Sequence, residues 1–206
     1  MNNVVFDKDI LLVVLGGLIG FLSSFGIMIA EWLMNRKGKI KIYYKFISSS
    51  LTHRPWGVYK ENGTNRRCFD IPVAFEFQNT TKTTRVIRDV SLELYLQNKF
   101  VAKLVQGEYG TKSKKENGME TDFEKFNFGA ENGSYSFVLK ECSIQKQKCF
   151  YVISIDDTDI DKYKFDRIVL SYYNERDKKK SYVLKQGLDG WSIGEKQPDK
   201  DWLIVK

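Results

Sequence analysis

Cys68-Phe69-Asp70-Ile71-Pro72-Val73-Ala74-Phe75-Glu76-Phe77 carries an apolar side chain at every second position: Phe69, Ile71, Val73, Phe75 and Phe77. Successive side chains on a strand point to opposite faces, so this stretch predicts a strand with one face in a core. The pattern recurs on both sides of it. Ile40, Ile42, Tyr44 and Phe46 interleave with Lys39, Lys41, Tyr43 and Lys45. Val86–Leu96 and Phe100–Val105 flank Gln97-Asn98-Lys99 as a hairpin. Tyr135–Leu139, Cys149–Ile155, Arg167–Tyr173, Ser181–Leu184 and Trp202–Val205 bring the expected strands to about nine. Turn signals such as Glu61-Asn62-Gly63 and Glu131-Asn132-Gly133 separate them, and no convincing helical period follows residue 35. This pattern predicts an all-β domain, an antiparallel β-sandwich or, as the alternative, a small β-barrel.

Upstream the pattern changes. Ile10–Ala30 is twenty-one residues without a charge. At ~1.5 Å per residue it reaches roughly 31 Å, the thickness of a bilayer's hydrocarbon core. Asp7-Lys8-Asp9 precedes it where a cleaved signal peptide would carry a basic cluster, and no Ala-x-Ala-like site closes it. On the far side stand Arg36, Lys37, Lys39, Lys41 and Lys45, with Trp32 as an interfacial anchor. The positive-inside rule then puts the N-terminus outside and the β domain in the cytoplasm. The chain divides into residues 1–9 outside, a membrane helix over 10–34 and a cytosolic domain over 35–206.

Val13, Gly16, Gly20, Ser23 and Ile27 repeat at the 3- and 4-residue spacings of a helix-packing seam, and Ser24 extends the small-residue face of Gly16-x-x-x-Gly20. Two readings stand: a helix that meets copies of itself, or the ordinary abundance of glycine in membrane helices. Asp7, Asp9 and Glu31 would ring the mouths of a pore if several helices surrounded one, or else simply lie in the headgroup zone.

The chain has 206 residues and a formal charge of +7. Residues 1–34 hold Asp7, Asp9 and Glu31 against Lys8 alone, so the β domain is more basic than the whole. One His and three Cys without zinc spacing argue against a metal site, and no nucleophile, phosphate-loop or metalloprotease motif occurs. We therefore expect neither an enzyme nor a cofactor. Asp156-Asp157-Thr158-Asp159-Ile160-Asp161 lacks the glycine and distal Glu of a calcium loop and reads as a solvated turn. Arg66, Arg67, Lys112, Lys114, Lys115, Lys178, Lys179 and Lys180 are expected in loops. Converging near Tyr172, Tyr173 or Trp191, they would make a cationic, aromatic site for a nucleotide or single-stranded nucleic acid; scattered, they are solubilising charges.

Ile71-Pro72-Val73-Ala74-Phe75-Glu76-Phe77-Gln78-Asn79, followed by Val86-Ile87-Arg88-Asp89-Val90-Ser91-Leu92-Glu93-Leu94-Tyr95, resembles bacterial immunoglobulin-like domains, in which a strand ending in Asn turns into a second strand near an Asp-Val pair. It is a fold signature and implies no activity. The layout, one N-terminal span and a cytosolic β domain, is similar to membrane effectors of bacterial anti-phage systems that read nucleotide or oligonucleotide signals. That resemblance implies a homo-oligomeric sensor gating a pore. The alternative is a passive anchor whose domain binds a cytosolic partner protein.

Overall fold

The computed structural model describes residues 8–36, 38–49, 53–116, 119–128 and 135–205, with backbone alone at 8–9, 34–36, 107–116, 119–128 and Tyr135. One helix, α1 (Lys8–Arg36), precedes the β domain. Its segment Ile10–Leu33 is long and apolar enough to cross a membrane, and none of it is buried against the rest of the chain. The Ser23 and Ser24 hydroxyls donate to the carbonyls of Ile19 (2.8 Å) and Gly20 (2.9 Å), so both are satisfied within the helix.

Two antiparallel sheets follow. In the first, β3 (Arg66–Asn79) is the long central strand. Along one edge it pairs with β9 (Ile144–Asp156), from Arg66 opposite Asp156 to Gln78 opposite Ile144. Two strands share its other edge: β2 (Gly57–Lys60) takes Arg67–Asp70, and β1 (Ile40–Phe46) takes Val73–Asn79. Pro72 stands in the gap between them. Both backbone polar groups of an antiparallel residue point to one edge, and the Pro72 carbonyl accepts from Ile47 N at 3.0 Å on the β1 side. The missing N–H therefore faces the gap and breaks no rung with β9.

β6 (Val105–Glu116) pairs with β9 up to Glu108 and then with β7 (Met119–Phe128). The second sheet orders β11 (Lys179–Gln186), β10 (Arg167–Asn174), β4 (Arg85–Leu96) and β5 (Lys99–Lys103), with β8 (Tyr135–Leu139) also beside β4. Two-residue strands β12 (Gly194–Glu195) and β13 (Leu203–Ile204) extend the first sheet beside β2 and β1. Among the described residues neither sheet closes into a barrel.

Both sheets share one core, a sandwich-like arrangement. Phe69, Ile71, Val73, Phe75 and Phe77 of β3 face it, as expected, against Ile87, Val90, Leu92 and Leu94 of β4 and Ile168 and Leu170 of β10. Ile87 and Val90 are three apart yet both point inward, which requires a bulge. Asp89 supplies it at φ +53, and Ser136 and Lys103 hold it through Asp89 N and Oδ1. At one end Trp56 stacks on Phe46 with centroids 4.9 Å apart, and Phe69 on Phe165 at 5.0 Å.

Several sequence expectations need correction. Phe100–Val105 is not one strand: β5 ends at Lys103, buried Leu104 crosses between sheets, and Val105 opens β6. Lys99 belongs to β5, leaving a two-residue turn with Gln97 at φ +58. Lys112, Lys114 and Lys115 lie on β6, not in a loop; Arg66 and Arg67 open β3, and Lys179 and Lys180 open β11. β2, β7, β12 and all of β6 beyond Val105 have no counterpart among the expected strands. The turn at Glu131–Gly133 lies outside the described residues.

Candidate membrane-proximal site

Three residues, 37–39, separate the end of α1 from β1. The second of them, Gly38, has φ +110, and a Cβ there would sit 2.3 Å from the carbonyl oxygen of Thr80. Only glycine combines that backbone conformation with that approach. Lys39 N donates to Thr80 Oγ1 (2.8 Å), Thr80 Oγ1 donates to Lys39 O (2.8 Å), and Thr80 N donates to the same carbonyl (3.1 Å). Gly38 and Lys39 are thus held against the turn that follows β3.

Behind Thr80, Asn79 is 2% exposed and ties four elements together. Its Nδ2 donates to the carbonyls of Thr83 (2.8 Å), Lys140 (2.9 Å) and Leu139 (3.3 Å). Its Oδ1 accepts from Thr81 N (3.0 Å) and Thr81 Oγ1 (2.7 Å), and its backbone N donates to Ser143 O (2.9 Å). The side-chain amide therefore closes the turns before β4 and after β8, while the backbone N–H holds the residue that precedes β9. Sequence reasoning treated Asn79 only as the end of a strand. The run Asn79-Thr80-Thr81-Lys82-Thr83-Thr84 held the missed signal, because short hydroxyl and amide side chains there favour local bonds to backbone.

The seam residues Val13, Gly16, Gly20, Ser23, Ser24 and Ile27 sit on the exposed helix, and a Cβ on Gly16 or Gly20 would meet nothing within 4 Å. Glu31 and Trp32 are exposed near its C-terminal end. Asp7 and Lys37 lie outside the described residues, as do the side chains of Asp9 and Arg36. Lys39 is exposed at the clamp and Lys41 half-buried on β1.

The basic residues divide between two ends of the β domain. Arg66 and Arg67 begin β3, whose far end, Asn79, pairs with Ile40 beside the helix link. Thirteen steps of ~3.3 Å put about 43 Å between those ends. Arg67 Nε lies 2.7 Å from Asp157 Oδ1 and its Nη1 donates to Trp191 O at 2.7 Å; Arg66 pairs with Asp156 (3.4 Å) and Glu61 (3.9 Å). Lys178 lies in the exposed turn before β11 at the helix end, and Lys180 is exposed on β11. Lys179 Nζ reaches Glu93 Oε1 and Oε2 at 2.7 and 3.0 Å. The side chains of Lys112, Lys114 and Lys115 lie outside the described residues. The Tyr172 and Trp191 rings are buried in the core, and the Trp191 indole donates to Tyr163 O at 2.7 Å.

Glu93 is 4% exposed on the outer face of the second sheet, and also accepts from Ser171 (2.7 Å) and Tyr95 (3.0 Å). Burial pushes its carboxyl up, but the bonds from Lys179 and Ser171 outweigh that and hold it below the usual glutamate value. The Cys68 thiol, donating to Asp70 Oδ1 at 2.9 Å, is pushed up to about 12 by burial and by that carboxylate. Such a thiol is a hydrogen-bond donor, not a nucleophile. Asp157–Asp159 forms a short 3₁₀ turn directly after β9, and Asp159 and Asp161 pair with Lys162 and Lys164. Among the described residues no group of three or more His, Cys, Asp or Glu is placed to hold a metal ion. A cleft on the second sheet, lined by Tyr95, Asn98, Arg167 and Val183, encloses about 190 Å³, below the ~300 Å³ at which small-molecule sites begin.

The fold and this junction define a class: one helix able to cross a membrane, followed after three residues by a two-sheet antiparallel β domain. No protein-family model, no curated protein and no solved structure matches the chain.

Proposed function

We propose that this protein is a single-pass membrane effector or sensor, N-terminus outside and β domain in the cytoplasm of a bacterial cell. Its helix assembles with copies of itself, and its immunoglobulin-like sandwich passes the binding of a regulatory ligand or partner protein to that assembly. Nucleotides and oligonucleotides are the ligands this layout favours, and gating of a pore in anti-phage defence is the output; no catalytic step is involved. The observation that carries the reading is the clamp of Gly38 and Lys39 on Thr80. A passive tether gains nothing from fixing the residues just before β1 to the domain, whereas a transducer needs that end of the domain held close to the helix. The exposed small-residue face at Gly16 and Gly20 supports close helix approach.

The test is cross-linking of the full chain in liposomes together with ion flux, with and without candidate ligands. A strict monomer without conductance under any ligand overturns the proposal. Replacing Ile10–Leu33 by an unrelated Leu-rich helix should abolish function in a transducer and leave a tether intact.

A further inference from the structure

The cations at the two ends of the β domain differ in how many stand unpaired together. At the far end, Arg66, Arg67, Lys162 and Lys164 each hold a carboxylate, leaving exposed Lys60 and Lys99 without one among the described residues. At the helix end three turns meet: residues 80–84, 140–143 and 174–178. Arg85 to Glu175 and Asn79 to Lys140 join them, and the Thr80 clamp ties them to the helix link. They present Lys82, Lys140, Arg176 and Lys178, with Lys39 at the clamp, all exposed and none with a carboxylate partner among the described residues. The acids of these turns are mostly occupied, Glu175 by Arg85 and Asp177 by Arg88. Only Glu141 opposes the five cations.

Position gives this asymmetry its meaning. Three link residues span at most about 10 Å, and Lys39 is fixed to Thr80, so a helix that crosses a bilayer holds these turns against the headgroups whatever its tilt. We propose that the turns at Lys82, Lys140 and Arg176–Lys178, with Lys39, form an anionic-phospholipid docking surface that presses the β domain onto the membrane. The proposal rests on the membrane-spanning reading, and its ligand is the lipid phosphate at the bilayer surface. Electrostatic attraction of this kind is short-ranged and salt-sensitive, so it distinguishes a docked from a lifted pose of the same anchored protein.

The molecule carries its own reporter. Cys142 is exposed on the middle turn, Cys149 is buried and Cys68 is half-buried. In a Cys68→Ala background, a donor fluorophore on Cys142 of the full chain is read against a headgroup-linked acceptor in liposomes. Neutral phosphatidylcholine is compared with a mixture containing 30% phosphatidylglycerol. Carbonate resistance of the same samples reports the membrane span independently.

Transfer should be higher on the anionic vesicles, should fall to the neutral level in 0.5 M salt, and should drop in Lys82→Gln, Lys140→Gln and Lys178→Gln. Each exchange should lower the docked-to-lifted ratio about fivefold. Equal transfer on both vesicles in a carbonate-resistant protein overturns the docking surface and leaves the span standing. Extraction by carbonate overturns the span and the docking surface with it. Loss of transfer on adding millimolar inorganic phosphate at constant ionic strength also overturns the assignment, since the turns would then prefer a free anion to lipid.

Discussion

Thr80 and Lys39 exchange three hydrogen bonds across forty-one residues of sequence, and the Thr80 hydroxyl both accepts from the Lys39 amide and donates to its carbonyl. Only a hydroxyl serves both roles at one atom. Thr80→Ser should keep the clamp, while Thr80→Val should remove both side-chain bonds and cost about 1–2 kcal/mol of domain stability. Amide exchange at Lys39 should quicken in the Val variant and not in the Ser variant. Gly38→Ala should be worse than either, because φ +110 and the 2.3 Å approach to Thr80 O both oppose a Cβ.

Asn79→Ala leaves the carbonyls of Thr83 and Lys140 without their buried donor and opens a small cavity. The expected loss is about 2–4 kcal/mol, read from denaturant unfolding of the full chain in micelles. Asn79→Asp should be as damaging at pH 7, since a carboxylate would then face those carbonyls.

Glu93 and Lys179 give the domain a pH window. The folded carboxyl lies below the ordinary 4.5, so its contribution is full above that value and is lost as pH falls through the folded pKa. Lys179 lies above the ordinary 10.5, so its contribution is full below that value and is lost as pH rises through the folded pKa. Lys179→Met should cost about 2 kcal/mol at pH 7, at the low end for a buried pair because Lys179 keeps part of its surface in water. A Glu93→Gln, Lys179→Met cycle across pH 3 to 7 checks the sign: the coupling should shrink toward the acid end.

Alkylation should rank the three thiols. Iodoacetamide at neutral pH should modify exposed Cys142 first and leave buried Cys149 and Cys68 largely untouched. Asp70→Asn removes the carboxylate that helps hold Cys68 up, so timed mass spectrometry should find Cys68 faster in that variant.

Pro72→Ala should be nearly silent in stability, within about 1 kcal/mol, because the restored N–H points into the gap between β1 and β2. A large loss would mean that β9 supports that edge in some other way.

The strands that bear the core were legible because their burial is one-sided: Phe69 to Phe77 and Ile42 to Phe46 alternate cleanly, and the apolar run of the helix is long enough to cross a membrane. The β6–β7 hairpin was not, since Lys112-Ser113-Lys114-Lys115 and its partner strand lack the alternation that marks a half-buried strand. Bulges hid Ile87 and Val90 behind a spacing of three. The junction was invisible for another reason. Lys39 and Thr80 meet only because β1 and β3 pair in one register, and no local pattern announces a contact set by tertiary pairing.

That register also decides how the domain answers force. β1 begins three residues after the helix and lies antiparallel to β3 from Ile40 opposite Asn79 to Phe46 opposite Val73. Its rungs run across the strand, so a pull along β1 from the membrane loads them together in shear instead of peeling them one by one. Tension transmitted by the helix thus meets its stiffest resistance at the first strand and reaches the centre of the first sheet with little slack.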